Sequence, residues 1–198
     1  MKRIIFATGN EGKMREIRMI MKDTGYEVVS LKEAGLNPDI VEDGTTFEEN
    51  ALIKAKTIAQ MTGQMALADD SGLEVDYLDK APGIYSARFL GEDTSYEVKN
   101  AYILDQLKGV PEEKRSARFV CAIAFCDADG NTMTTRATIE GRIGDQAAGE
   151  NGFGYDPIFY VPEFGVSTAE LTMEQKNQIS HRAKALNLMK EKLKGLEA

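Results

Sequence analysis

Residues 2–7, KRIIFA, form a short apolar run that stops at Thr8-Gly9-Asn10. A helical pattern follows over about residues 12–22, with Met14, Ile17 and Met21 on one face, and residues 27–31 read as a second strand. An unbroken apolar strand is buried on both of its faces. A strand, a tight glycine turn, a helix and a second strand together open an α/β protein.

The rest of the chain extends that pattern. Thr46-Phe47-Glu48-Glu49 places a threonine at a cap and a glutamate three residues on, which predicts a helix running to about Thr62, where Gly63 stops it. Residues 66–72 read as a short apolar strand running into two carboxylates, with Asp76-Tyr77-Leu78 as its continuation after a bend. Val98, Ala101, Tyr102 and Leu104 recur at helical spacing and predict a helix over 94–107. Residues 116–126 and 132–143 read as two long strands joined by the loop Asp127-Ala128-Asp129-Gly130-Asn131, so the sheet is mixed. A short strand is expected at 158–161. Thr172 and Gln175 form a second capping-box pattern opening a short helix. Ser180 caps a last helix to about Lys194, with Ala183, Leu186, Met189 and Leu193 on its core face. With 198 residues and no repeat, low-complexity tract or linker, the expectation is one domain over 1–198.

The net charge of -8 argues against broad binding to a nucleic acid polymer, while leaving room for a local basic pocket holding one small polyanion. No apolar run nears the ~20 residues of a membrane span. The N-terminal apolar run is too short for a signal peptide, so cytoplasmic residence is expected. Cys121 and Cys126 lie five positions apart in one strand, point to opposite faces, and read as small buried residues of a reducing compartment. With a single histidine, His181, a multi-histidine zinc site is excluded; a metal here would be hard and oxygen-ligated, such as magnesium.

Several segments carry groups capable of chemistry. Residues 66–72, ALADDSG, run an apolar strand into Asp69, Asp70, Ser71 and a glycine. Buried carboxylates require a metal, a cation or water, whereas the same residues also make solvated turns. Neighbours on a strand face opposite ways, so one aspartate is expected to enter a site and the other to serve another purpose, unless the strand has bent at Asp69 and both reach a metal; periodicity does not say which. Thr8-Gly9-Asn10-Glu11-Gly12-Lys13 joins a strand to a helix and suits a phosphate cradle, although it matches neither the Walker spacing nor G-x-G-x-x-G and also suits an ordinary turn. Glu42 and Asp43 either complement the dipole of the following helix or supply a second carboxylate to a metal. Phe47, Ala51, Lys54 and Ile58 share one helix stripe, so Lys54 either snorkels outward or meets an inward anion. His181 and Arg182 open the last helix, where cations oppose its dipole unless a ligand or carboxylate lies nearby. Phe153-Gly154-Tyr155-Asp156-Pro157 joins aromatic faces, which stack on nucleobases or pack in cores, to a carboxylate expected to be extended before its proline. Lys176 lies a few residues before the last helix.

Taken together, these segments resemble the inosine triphosphatase family, the purine nucleoside triphosphate pyrophosphatases that handle ITP, dITP and XTP. The resemblance rests on ATGNEGK at 7–13, TFEENALIKA at 46–55, ADDSGLEVD at 68–76, APGIYSAR at 81–88, GFGYDPIF at 152–159 and AELTMEQKNQISHR at 169–182, in matching order and spacing. It implies an elongated, two-lobed α/β domain with a central mixed β-sheet flanked by helices and a deep cleft, assembled as a homodimer. It implies magnesium-dependent cleavage between the α- and β-phosphates, giving the monophosphate and pyrophosphate and cleansing the nucleotide pool. Thr8, Asn10 and Lys13 would hold the triphosphate with backbone help from Gly9, Glu11 and Gly12. Glu42 and Asp70 would hold magnesium, and Asp70 would accept the proton of the attacking water. Ser71 would contact the substrate and Lys54 would face its phosphates. Phe153 would stack on the purine and Gly154, Tyr155 and Asp156 would shape its pocket. Lys176, His181 and Arg182 would read O6. Asn151 departs from the family, many of whose members carry glycine there. The alternatives are a pyrophosphatase of other modified nucleoside triphosphates and a nucleotide-binding sensor without turnover.

Overall fold

The computed structural model describes residues 2–196. In chain order its elements are β1 (Lys2–Phe6), α1 (Glu11–Met21), β2 (Tyr26–Ser30), α2 (Phe47–Thr62), β3 (Met65–Val75), α3 (Tyr96–Gln106), β4 (Ser116–Cys126), β5 (Thr132–Ile143), β6 (Phe159–Val161), β7 (Val166–Ser167), α4 (Met173–Ile179) and α5 (His181–Gly195). The strands are hydrogen-bonded in the order β2-β1-β3-β4-β5-β6-β7. β1 is parallel to β2, with Ile4 opposite Val28, and parallel to β3, with Ile4 opposite Met65. β5, β6 and β7 are antiparallel, with Arg142 opposite Tyr160 and Tyr160 opposite Ser167. The expected α/β fold with a mixed, helix-flanked sheet is therefore present.

The chain divides into two units that part within β3, β4 and β5. The first comprises Met1–Asp70, Cys121–Ala137 and His181–Ala198; the second comprises Ser71–Val120 and Thr138–Ser180. Residues 1, 197 and 198, at the ends of the expected single domain, lie outside the described residues.

Each unit has its own core. In the first, Ile4 and Phe6 of β1, Leu67 of β3 and Cys121, Ile123 and Phe125 of β4 pack with Met14, Ile17 and Met21 of α1 and Leu186, Met189 and Leu193 of α5. The alternate strand residues Ile5, Ala66 and Ala68 are equally buried, as a strand covered on both faces requires. Both cysteines are free and buried. α2 is capped by the Thr46 side chain, which accepts from Glu49 N, and stopped by Gly63 in the left-handed region. The returning bond of the capping box is displaced by one residue, since the Glu49 carboxylate accepts from Thr45. In the second unit, Leu73 and Val75 of β3, Ile103 and Leu107, Phe119, Ile139, Ile143, Tyr155, Ile158 and Phe159 form the core.

Two local expectations change. β3 runs unbroken from Met65 to Val75, so Asp69 and Asp70 lie mid-strand, not in a turn, and residues 76–78 form a 3-10 turn instead of resuming the strand. α3 is capped by Ser95 and buries Lys99, Asn100 and Ile103, while Val98 and Tyr102 are exposed. Its inward face is polar because it meets backbone oxygens: Lys99 Nζ donates to Ala87 O and Asn100 Nδ2 to Gly154 O.

Candidate active site

In the first unit the strand-to-helix turn after β1 is held by its own side chains. Thr8 is buried and its Oγ1 accepts from Asn10 N at 3.1 Å; Asn10 caps α1 by accepting from Lys13 N at 3.0 Å. Gly9, Asn10 and Glu11 are exposed, with Gly12 and Lys13 half-buried at the N-terminus of α1. A Cβ on Gly9 would meet nothing within 4 Å. Helix amides, a lysine and open space in front of the turn suit an anion.

Lys13 Nζ lies 2.9 Å from Asp69 Oδ2. Arg182 Nε lies 3.5 Å from the same oxygen, and Arg182 Nη1 lies 2.5 Å from Glu16 Oε2 of α1. Asp69 and Arg182 are both buried. Burial alone would drive the Asp69 carboxyl up, but Lys13, Arg182 and Lys54 together hold it well below the usual carboxylate range. Asp69 is thus an ionised anchor for two cations.

Asp70 has the opposite character. Burial pushes its carboxyl up to about 6; Glu42 and Asp69 add to that, while Lys54 and a hydrogen bond from Asn50 offset part of it. Among the described residues its buried Oδ2 has no hydrogen-bond partner. Lys54 turns inward, with Nζ 2.5 Å from Glu42 Oε1. Burial disfavours its charge, yet Asp69, Asp70 and Glu42 raise its pKa overall. Asn50 Oδ1 also accepts from Gly44 N at 2.9 Å, and a Cβ at Gly44 would stand 2.7 Å from that oxygen.

No group of three or more His, Cys, Asp or Glu able to hold a metal occurs among the described residues. Magnesium asks for less, since it binds through one or two carboxylates with water and substrate phosphate completing its shell. Glu42 and Asp70, whose carboxyl groups repel one another and of which Asp70 keeps a buried oxygen with no hydrogen-bond partner, fit that demand.

In the second unit the loop of residues 149–156 is organised by one carboxylate. Asp156 is buried; its Oδ2 accepts from Phe153 N at 2.9 Å and from Lys176 Nζ at 2.6 Å, and its Oδ1 from Thr168 Oγ1 at 2.9 Å. It opens a 3-10 turn over Asp156–Ile158, which corrects the expected extended conformation. Lys176 Nζ lies 4.7 Å from the centroid of the Phe153 ring, a cation–π contact, and that ring is 40% exposed. Tyr155 is buried with its Oη donating to Ser86 O at 2.6 Å. Asn151 anchors the loop by donating from Nδ2 to Leu171 O at 3.1 Å. A Cβ at Gly152 would stand 2.2 Å from Asp156 Oδ2, and one at Gly149 would stand 2.4 Å from the Ala169 carbonyl carbon. The close approach of this loop to its anchors therefore requires both glycines.

The expected site residues accordingly fall into two groups. Thr8, Gly9, Asn10, Glu11, Gly12, Lys13, Glu42, Lys54, Asp70, His181 and Arg182 belong to the first unit, and Ser71, Phe153, Gly154, Tyr155, Asp156 and Lys176 to the second. Ser71 is half-buried on β3 directly after Asp70, and His181 is buried at the start of α5. Arg182 has the nearby carboxylates that a cation in the first turn of α5 calls for. The carboxylates that offset its helix dipole are Glu16 and Asp69, and they hold its Nη1 and Nε in a buried ion network. Glu16, Asn50 and Thr168 are site residues that sequence reasoning passes over. Asn50 lies inside the segment 46–55 that carries the resemblance; Glu16 and Thr168 show no sequence signal, because their partners are 166 and 12 residues away.

The profile of the Ham1 family matches residues 4–192. The chain belongs to the Ham1 family. It is 50% identical over 186 residues to a dITP/XTP pyrophosphatase of Bacillus licheniformis, covering 94% of this chain and 95% of that one. It is 49% identical over 193 residues to the protein of that name in Geobacter sulfurreducens, covering 98% and 97%. Among solved structures, the Staphylococcus aureus Ham1 protein superposes with a TM-score of 0.88 at 44% identity, over 98% of this chain and 99% of that one. A HAM1 protein from Coxiella burnetii does so with 0.90 at 38% identity, over 98% and 100%. For a Ham1 chain, the pairing of Asp69, anchored by two cations, with Asp70, whose buried Oδ2 has no hydrogen-bond partner, is the feature that bears most directly on chemistry.

Proposed function

We propose that this Ham1 protein hydrolyses ITP, dITP and XTP to the monophosphate and pyrophosphate, and so clears these nucleotides from the pool. The observation that carries the reading is Asp70, a half-buried carboxyl with a buried oxygen that has no hydrogen-bond partner and a pKa lifted to about 6 beside Glu42 and Lys54. The names of the relatives at about half identity support it.

Glu42 and Asp70 are the residues that would hold magnesium. When bound, that ion supplies charge neutralisation and positioning for phosphate oxygens. Lys13 and the α1 amides bind phosphate, with Thr8 and Asn10 holding the turn. Asp70, with a pKa near neutrality, is suited to take a proton from the attacking water. The water oxygen bonds to phosphorus, the link between the α- and β-phosphates breaks, and pyrophosphate departs with the electron pair. Lys54 meets the resulting negative charge, and Ser71 contacts the substrate next to Asp70.

Phe153 offers an aromatic face to the purine, in a loop set by Gly154, Tyr155 and Asp156. Lys176, with His181 and Arg182, is proposed to favour an O6 acceptor over the amino donor of adenine. A mispaired buried polar group can cost on the order of 10⁴-fold in kcat/KM. The protein is further proposed to be a cytoplasmic homodimer needing no nucleic acid polymer; no helix among the described residues is long and apolar enough to cross a membrane.

The test is to incubate the protein with magnesium and ITP, XTP, dITP, GTP or ATP, measuring pyrophosphate and orthophosphate separately. Pyrophosphate from ITP, dITP and XTP in clear preference to ATP is expected. Orthophosphate as the product, or equal rates on all five, would overturn the reading.

A further inference from the structure

We propose that Asn100 is a positioning residue for nucleobase binding, acting through the Gly154 carbonyl; this rests on Phe153 as the base platform. Phe153 sits between Gly152 and Gly154, both in the left-handed region at φ 75° and 64°. Glycines on either side let the adjoining peptide planes turn at little steric cost, so the ring direction is not set by local backbone preference.

Packing gives it little help on the α3 side. There a cavity of about 430 Å³ is lined by Tyr96, Asn100, Ala101 and Leu104 of α3 and by Phe153 and Pro157. A loop backed by open space lacks the dispersion contacts that would hold a single conformation. One hydrogen bond acts on that side, beside the anchors that Asp156 and Lys176 give Phe153 elsewhere. Asn100 Nδ2 donates to Gly154 O at 3.1 Å, and the Tyr96 ring lies 3.7 Å from the point a Gly154 Cβ would take. Tyr96 is itself set edge-on to Tyr155, with ring centroids 5.2 Å apart.

Asn100 is 6% exposed, and among the described residues its Oδ1 has no hydrogen-bond partner. A leucine of similar volume would avoid that unmet acceptor. What the amide contributes is its donor, which holds the Gly154–Tyr155 peptide against rotation and with it the exposed ring of Phe153.

Asn100→Asp keeps the shape and places an acceptor against the Gly154 carbonyl. Steady-state hydrolysis of dITP with saturating magnesium, run beside the wild type, should show KM raised about tenfold with kcat within about twofold, and a thermal midpoint near that of the wild type. The ratio of dITP to dATP turnover should fall. An unchanged KM in folded protein overturns the proposal, as does a parallel loss of kcat and thermal midpoint, which marks a purely structural residue. Should the aspartate variant not fold, Asn100→Ser, whose hydroxyl falls short of Gly154 O, is read by the same criteria. A wild type that releases no pyrophosphate from dITP defeats the functional reading, and this proposal with it. A wild type that does so beside an unaffected variant defeats this proposal alone.

Discussion

Asp69 and Asp70 are adjacent on β3, and their carboxyl groups are driven in opposite directions. Both resist charge because both are removed from water. Asp69 overcomes this with Lys13 at 2.9 Å and Arg182 at 3.5 Å, whereas Asp70 has Glu42 and Asp69 adding repulsion and is left at about 6. Alternation along a strand sends neighbouring side chains to different faces, and the surroundings of each face do the rest.

Asp70→Asn should therefore lose most turnover while gaining stability in metal-free buffer. The folded-state pKa of Asp70 is raised above its ordinary value of 3.8, so ionisation costs the fold above about pH 6 and costs nothing below 3.8. The variant should be more stable by about 1–3 kcal/mol near pH 8, and the gain should fade as pH falls through 6 toward 3.8. Urea titrations at several pH values, with pyrophosphate release assayed alongside, check both halves; a less stable variant would contradict the electrostatic account.

Arg182→Ala should destabilise the first unit severely. It removes from Glu16 and Asp69, both buried, the guanidinium they share, and breaking a buried ion pair from one side costs about 3–5 kcal/mol. Arg182→Lys should cost less, since it keeps a charge while losing the planar fork. Thermal denaturation of both variants tests this. A change in ITP/ATP preference is informative only in the lysine variant, and only if that variant remains folded.

Asp76 should make the stability of the second unit sensitive to acid. Arg118 grips it with Nη1 3.0 Å from Oδ1 and Nη2 2.9 Å from Oδ2. That hydrogen bonding holds the carboxyl well below its ordinary 3.8, against a smaller opposing effect of burial. A depressed carboxyl stabilises the fold above the ordinary value and loses that contribution as pH falls below it. The stability gap between wild type and Asp76→Asn should stay constant from neutral pH to about 5 and close at lower pH. A gap that does not change with pH would count against it.

Gly152→Ala should raise the KM for dITP by at least about tenfold and lower stability by about 1–3 kcal/mol. The added Cβ would lie 2.2 Å from Asp156 Oδ2 at a φ of 75°, so the loop must abandon either its backbone conformation or its anchor. Asn151→Gly, which deletes the bond to Leu171 O but strains nothing, should have a much smaller effect on both. Steady-state kinetics and thermal melts of the pair separate the two outcomes.

Much of the fold was readable in advance because it is local. The apolar run of β1, the Thr46 cap and Gly63 stop of α2, and the long strands Ser116–Cys126 and Thr132–Ile143 all follow from periodicity and end chemistry within a few residues. α3 was legible as a helix, but its buried side was not. Its apolar residues Val98 and Tyr102 face solvent, and Lys99 and Asn100 are buried because distant backbone oxygens receive their donors.

The candidate site divides in the same way. From sequence alone came the segments that bear its chemistry: the turn before α1, the Asp69-Asp70 pair, Lys54 on an apolar stripe and the aromatic loop around Phe153. Which aspartate is anchored by cations and which keeps an unpaired oxygen, and that Arg182 is committed to Glu16 across 166 residues of chain, only the tertiary structure decided. Pattern and capping act between neighbours in the chain, whereas the state of a buried charge depends on whatever residues folding places within a few ångströms of it.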